Sequence, residues 1–394
     1  MSKEKEEINK LVKNNSLEMQ TKLSKDGITP KDLSLDEDYS EIHGRCCENI
    51  LGFKKIPLGV SKEKLQINDE EFWIPICTTE GALVASMCRG IKLINKSGGV
   101  KGFVENLGIT RSFTISFTSF EKAVEFYKWI KVNANILKEV GNSTSRYLKI
   151  KEILSKHLIS NEVFVKVSAY TGDAMGMNMI TKACDAISKY ICTNFNAKII
   201  CISSNTCTDK KWSVENFANG RGRKVSLNLI VTPENCRNIL KVEIDDLLKV
   251  YHSKIVLGSS LVLGGFNCQA ANVVAGIFLA LGQDLGHVID SSNCIIGMKK
   301  ENENLVVSLF MQSIIVGTLG GGTHLEPGKS FITQFYKKDK EYFLTDKALD
   351  RSVAPNYLAL VVAGAVLAGE LSGLAALTDN TLINAHLKLN RKKE

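Results

Sequence analysis

No Cys-x-x-Cys pair occurs among the 11 cysteines of this 394-residue chain. The thiols are scattered and odd in number, and Cys46 and Cys47 are adjacent, which strains any bridge between them. This excludes a disulfide framework and points to reduced, intracellular thiols. The six histidines (His43, His157, His252, His287, His324, His386) show no metal-ligand spacing, so no structural or catalytic metal is expected. The opening residues MSKEKEEINK are charged and lack an apolar signal core. The longest apolar runs, 270–282 and 358–369, fall short of the roughly 20 residues that span a bilayer. A soluble, cytoplasmic chain with no membrane partner is the expectation. No basic run is interleaved with aromatics, which argues against a nucleic-acid partner. The basic clusters 210–211, 221–224 and 391–393 read as solvated turns or ends. There is no internal repeat and no G-x-G-x-x-G dinucleotide fingerprint.

What is present is an ordinary globular balance, with 44% apolar and 23% charged residues and a net charge of +8. The length suits two or three domains with a large core. The mild positive excess suits a polyanionic small molecule such as a phosphorylated cofactor. Ile8, Leu11, Leu17 and Met19 recur at roughly helical spacing and predict an N-terminal helical arm over 1–48. Thr29-Pro30-Lys31-Asp32 reads as a second helix start. Residues 73–77 (WIPIC) predict a strand, followed by a helix that Thr78 or Thr79 would cap. Glu80 would then lie near that helix's positive end, against apolar flanks that favour its neutral form. β-Rich runs at 111–117 and 162–170 flank a helix over 120–140, and a further helix and strand follow to residue 203. Two such passes predict a small α/β domain at 111–200, inserted into a larger domain made of 49–110 and 212–394. Segments 270–281 and 357–377 read as buried helices.

The stretch 201–211, CISSNTCTDKK, leaves a strand and turns polar at once. It reads as a connecting loop with two adjacent lysines, either a solvated turn or a place where chemistry sits. GDAMGMNMI (172–180) opens a helix with small residues, which fits either a tight corner or a phosphate approach. Glu80, Lys210, Asp284 and His386 sit in settings that suit catalysis; spacing alone does not bring them together.

The ordered motifs CCENILGF, PLGV, TTEGALVAS, STSR, GDAMGMNM, SNTCTDKK, GSSLVLGGFN, LALGQD, SSNCI, GTLGGGT, LAGELS and HLKLNR run from about residue 46 to 391. In these the chain resembles the catalytic portion of 3-hydroxy-3-methylglutaryl-CoA (HMG-CoA) reductase, of the class found in eukaryotes and archaea. The resemblance implies an α+β fold, with a large substrate-binding domain, an inserted ferredoxin-like cofactor domain and a helical arm. It implies reduction of HMG-CoA to mevalonate and CoA with two NADPH, and no metal.

By motif, the resemblance places the catalytic set at Glu80, Lys210, Asp284 and His386. Substrate contacts fall on Arg111, Ser203, Asp209, Lys211, Lys254 and Asn272, with Ser86, Arg89 and Lys92 on the CoA segment. NADPH contacts fall on Ser145, Arg146, Asp173, Ala174, Met175, Gly176, Met177, Asn178 and Met179. Arg146 and Arg391 would meet the 2′-phosphate. A homodimer or homotetramer with sites between subunits is implied. Gln269, Ser204, Trp212-Ser213 and Ser112-Phe113 depart from the family's usual residues, and Lys392 stands where animal enzymes carry a phosphorylatable serine. The alternatives are an NADH-dependent form of the reaction and an inactive CoA- or nucleotide-binding regulatory protein of the same fold.

Overall fold

The computed structural model describes residues 3–31, 33, 37–44, 46–336, 343–344 and 352–379. His386 and Arg391 lie outside them. Helix α1 (Lys3–Lys25) forms as the spacing predicts, but it buries Val12 and Ser16 and leaves Leu11, Leu17 and Met19 exposed. Among the described residues Val12 and Ile8 meet a small core of Tyr39, Ile42 and Ile50, with Phe53 and Leu325 packed against it. The second helix expected at Pro30 does not start, since residues 29–31 and 33 are irregular. A cap signal is local and weak, and a helix that short does not nucleate without tertiary packing.

Strand Pro75–Cys77 pairs antiparallel with Leu58–Val60 and is shorter than predicted. Trp73 stays out because the Gln334 side chain takes both its amide and its carbonyl. Helix α2 (Leu83–Lys96) begins at Ala82, φ 76°, without a side-chain cap. Thr78 Oγ instead accepts the Glu80 amide at 2.9 Å, closing the turn before the helix. Glu80 is exposed, not set against apolar flanks.

Strand β1 (Lys101–Ser116) belongs to both halves of the molecule. After it come α3 (Phe120–Asn142), β2 (Lys149–Ile159), β3 (Glu162–Tyr170), α4 (Met177–Phe195), β4 (Lys198–Ile202) and β5 (Gly222–Val231). The order β4-β1-β3-β2, antiparallel throughout, is that of a ferredoxin-like unit. β2 is not apparent in the sequence because Lys149, Lys151, Glu152 and Lys156 interrupt its alternation.

The first half of β1 pairs with β5, and the sheet continues through β7 (Asn304–Ile314) to the edge strand β6 (Cys294–Glu301). Its core packs on α2, α5 (Ala270–Ala280) and α6 (Ala354–Thr378). The apolar core changes hands within β1 between Val104 and Ile109. Gly108, φ 81°, makes the bulge there, and a Cβ on it would lie 2.8 Å from the Ala169 carbonyl oxygen. α6 alone among the described residues is long and apolar enough to cross a membrane, and its apolar stretch is entirely buried in protein. It approaches α2 at Gly90, where a Cβ would lie 2.0 Å from the Ala368 carbonyl oxygen.

Candidate active site

The loop after β4 bends back by placing three non-glycine residues at positive φ: Asn205, Thr208 and Lys210. Such backbone costs energy and persists only where neighbours over-determine it. Here they do. The fully buried carboxylate of Asp290 accepts the amides of Lys210 (3.2 Å) and Lys211 (2.9 Å). Thr110 Oγ donates to the Cys207 carbonyl, and Ser112 Oγ accepts the Cys207 amide.

This anchorage aims Lys210 Nζ at Asp284 Oδ2, 2.7 Å away. Asp284 leaves the end of α5 and caps the next short turn, accepting the Gly286 amide at 3.0 Å. Burial pushes the Asp284 carboxyl up; the Lys210 hydrogen bond, the nearby His287, the Gly286 amide and the Lys210 charge outweigh it and hold it below the usual range. Asp209 is gripped from two sides, by Arg111 and by Arg221, each at 2.9 Å. Arg221 is 1% exposed and bonds Asp290 at 2.8 Å. Burial raises the Cys207 thiol; bonds to Ser112, Ser203 and the Asp209 amide, with the charge of Arg221, bring it below its ordinary value.

The other wall is the start of α4. Gly176, φ 99°, precedes it, and a Cβ there would lie 2.3 Å from Thr171 Cγ2. Residues 317–323 latch to the turn before it. The Thr318 and Leu319 amides donate to the Asp173 carbonyl, and Gln283 pairs with both the amide and the carbonyl of Gly317. Between these walls lies a cleft of about 730 Å³. Ala174 through Met179, Arg111, Asp209, Lys210 and Asp284 line it, with Cys46 at the edge.

Other anticipated positions lie elsewhere. Glu80 is exposed, and its carboxylate pairs with no cation among the described residues. Lys254 sits exposed on the segment His252–Gly258, and Asn272 is exposed in the first turn of α5. Ser86 and Arg89 bond Ser372 of α6, and Lys92 faces solvent. Ser203 meets Cys207 Sγ at 3.1 Å, and Lys211 is exposed. Ser145 Oγ accepts the Tyr147 amide, and Arg146 stacks over the Tyr147 ring.

A model of the hydroxymethylglutaryl-coenzyme A reductase family matches residues 6–391. The chain belongs to that family. It is 38% identical over 363 residues to 3-hydroxy-3-methylglutaryl-coenzyme A reductase 1 of Dictyostelium discoideum, covering 90% of this chain and 64% of that one. Reductase 2 of the same organism is 39% identical over 366 residues, 91% of this chain and 68% of that one. Reductase 2 of Aspergillus fumigatus is 38% identical, and the match spans only 33% of its length. The fold is also that of the class II reductase of Streptococcus pneumoniae solved with NADPH in open conformations. That likeness has a TM-score of 0.64 at 18% identity, covering 96% of this chain and 97% of that one.

Three residues of this candidate site, Arg221, His287 and Asp290, carry no mark of burial in the sequence. Arg221, placed in a solvated basic cluster, is buried, and so is Arg223, which bonds Asn356 and the Val316 carbonyl. A guanidinium is sequestered only where acceptors surround it, and sequence does not show them. His287 and Asp290 are fully buried as well. Their one signal is spacing: Asp284, His287 and Asp290 recur every three residues. Asp209, His287 and Asp290 bring ligand-type atoms within 4.8 Å of one another, and Arg111 and Arg221 already occupy the carboxylate oxygens.

Proposed function

We propose that this chain reduces HMG-CoA to mevalonate and free CoA with two NADPH, as a member of the eukaryotic and archaeal class. The class rests on its 38–39% identity to the eukaryotic reductases against 18% to the class II enzyme. The observation that carries the activity is the Lys210–Asp284 pair at 2.7 Å, in one cleft with the start of α4. A fixed ammonium there offers a donor to an oxygen that gains charge, and fixed donors stabilise such oxyanions most in a water-poor site. Asp284 aims it. Arg111 and Asp209 line the same cleft as the substrate-reading pair, with Ser203 and Lys211, on the loop of Lys210 but outside the lining, assigned to the same task.

NADPH fits the wall at α4. Gly176 opens the corner, and the helix-start amides of Met177 to Met179 suit phosphate oxygens. When bound, NADPH supplies one hydride to the thioester carbonyl and, after exchange, a second to the aldehyde. The chain's part is to manage charge and protons. Lys210 holds the carbonyl oxygen in both rounds. His386 is assigned the proton that goes to the leaving thiolate sulfur, and Glu80 the proton to the second-round oxygen. The exposed positions of Glu80, Lys254 and Asn272, outside the single-chain cleft, support a site completed by a second copy. A homodimer is therefore the smallest working unit.

Purified chain given HMG-CoA should oxidise two NADPH for each CoA thiol released. Absence of oxidation with NADPH and with NADH would sink the proposal, and binding without turnover would favour a regulatory protein.

A further inference from the structure

The ring of His287 is fully buried and faces carboxylates on both sides. Nδ1 lies 3.1 Å from Asp290 Oδ2. Nε2 lies 3.7 Å from Asp209 Oδ1 and 3.8 Å from Asp284 Oδ2, with no closer partner. A carboxylate oxygen accepts and does not donate. A ring whose every neighbour accepts is served best with a proton on each nitrogen.

We propose that His287 is a positioning residue, a buried imidazolium anchored on Asp290 that holds Asp284 and Asp209 in place for Lys210. The inference rests on the reductase reading for its kinetic consequences and on geometry alone for its protonation state. Asp290 links the parts. The same carboxylate anchors the ring, accepts the Lys210 and Lys211 amides and bonds Arg221. One brace thus sets the lysine backbone and the carboxylate that its ammonium meets. The charged groups around the ring are Asp284 and Asp290 on its own segment, Asp209 and Lys210 from the loop after β4, and Arg221 before β5. Arg111 of β1 acts through Asp209. Burial pushes Asp284 towards its neutral form; the positive ring is, after the Lys210 hydrogen bond, the next influence that keeps it ionised.

Two measurements test this on the full chain. The first needs no turnover: the ¹⁵N shifts of the His287 ring in the wild-type protein at neutral pH. Two protonated nitrogens are expected; one bare nitrogen overturns the proposal. The second is the pH profile of His287→Gln, which keeps a donor and removes the charge. Asp284 should then lose its proton only at higher pH. The acid limb of kcat should move to higher pH, with kcat down about tenfold and KM for HMG-CoA changed less than about twofold. An unmoved acid limb with kcat near wild type overturns the proposal. If His287→Gln does not fold, the ring shifts decide. A wild-type chain that turns over no HMG-CoA removes the reductase reading, and the ring shifts still decide the state of His287.

Discussion

Arg221 shows how much one side chain carries. It bonds Thr110, Asp209 and Asp290, and it is almost wholly enclosed. Deleting one partner of a buried ion pair leaves the other charge without compensation, which costs about 3–5 kcal/mol. Arg221→Gln should therefore lower the unfolding free energy by an amount of that order, read by denaturant titration. A loss under about 1 kcal/mol would mean that water replaces the guanidinium. Lys210 differs: its side chain is partly exposed and ends on Asp284, and its backbone is fixed. Its φ of 55° is held by Asp290, so its geometry depends on a residue 80 positions away.

At the scale of elements, the latch between residues 173–175 and 317–319 fixes the start of α4. Gly317 is required because a Cβ on it would fall 2.3 Å from the Met175 amide nitrogen. Gly317→Ala should raise KM for NADPH about tenfold, near 1.4 kcal/mol, with less effect on KM for HMG-CoA. Equal changes in both would argue that the latch serves the whole cleft. A second joint lies between α6 and α5. Glu370, fully buried on α6, accepts the amides of Cys268 and Gln269 at 2.5 and 2.7 Å, just before α5. Burial raises its carboxyl to about 7 against those two amides and the charge of Lys254. A folded pKa above the unfolded one means that the native state holds the proton more tightly. That stability is complete below about 4.5 and lost as pH rises through about 7, roughly 3 kcal/mol at most. The melting temperature should fall between these pH values, and Glu370→Gln should flatten the fall. An unchanged slope in the variant would assign the pH dependence to other groups.

At the scale of the molecule, the candidate site is divided. Lys210, Asp284, Asp209 and Arg111 share a cleft, and Glu80, Lys254 and Asn272 do not line it. If a second copy completes the site, two crippled chains should rescue each other. Co-refolded Glu80→Gln and Lys210→Ala chains should recover about a quarter of wild-type activity, the share of intact sites in a randomly mixed dimer. No recovery would place all the groups in one chain or remove one of them from the reaction.

Periodicity and turn chemistry were enough to read α1, α3, α5, α6, β3 and the polar loop at 201–211. Motif order was enough to read the family, and it singled out Lys210 and Asp284, which the fold pairs at 2.7 Å. These are local properties, written in the spacing of apolar side chains and in which residues stand together. Burial of charge is different, because it depends on what closes over a residue from distant parts of the chain. Arg221 in a basic run, His287 without metal spacing and Asp290 in a short turn carry no local mark of enclosure. β2 was hidden for a related reason, since lysines on one face of a half-covered sheet mask its alternation. Local sequence pattern was sufficient for most of the longer helices and for the family. The tertiary structure decided which charges meet, because a carboxylate finds its guanidinium or its imidazole only when chain segments far apart in sequence close on the same buried point.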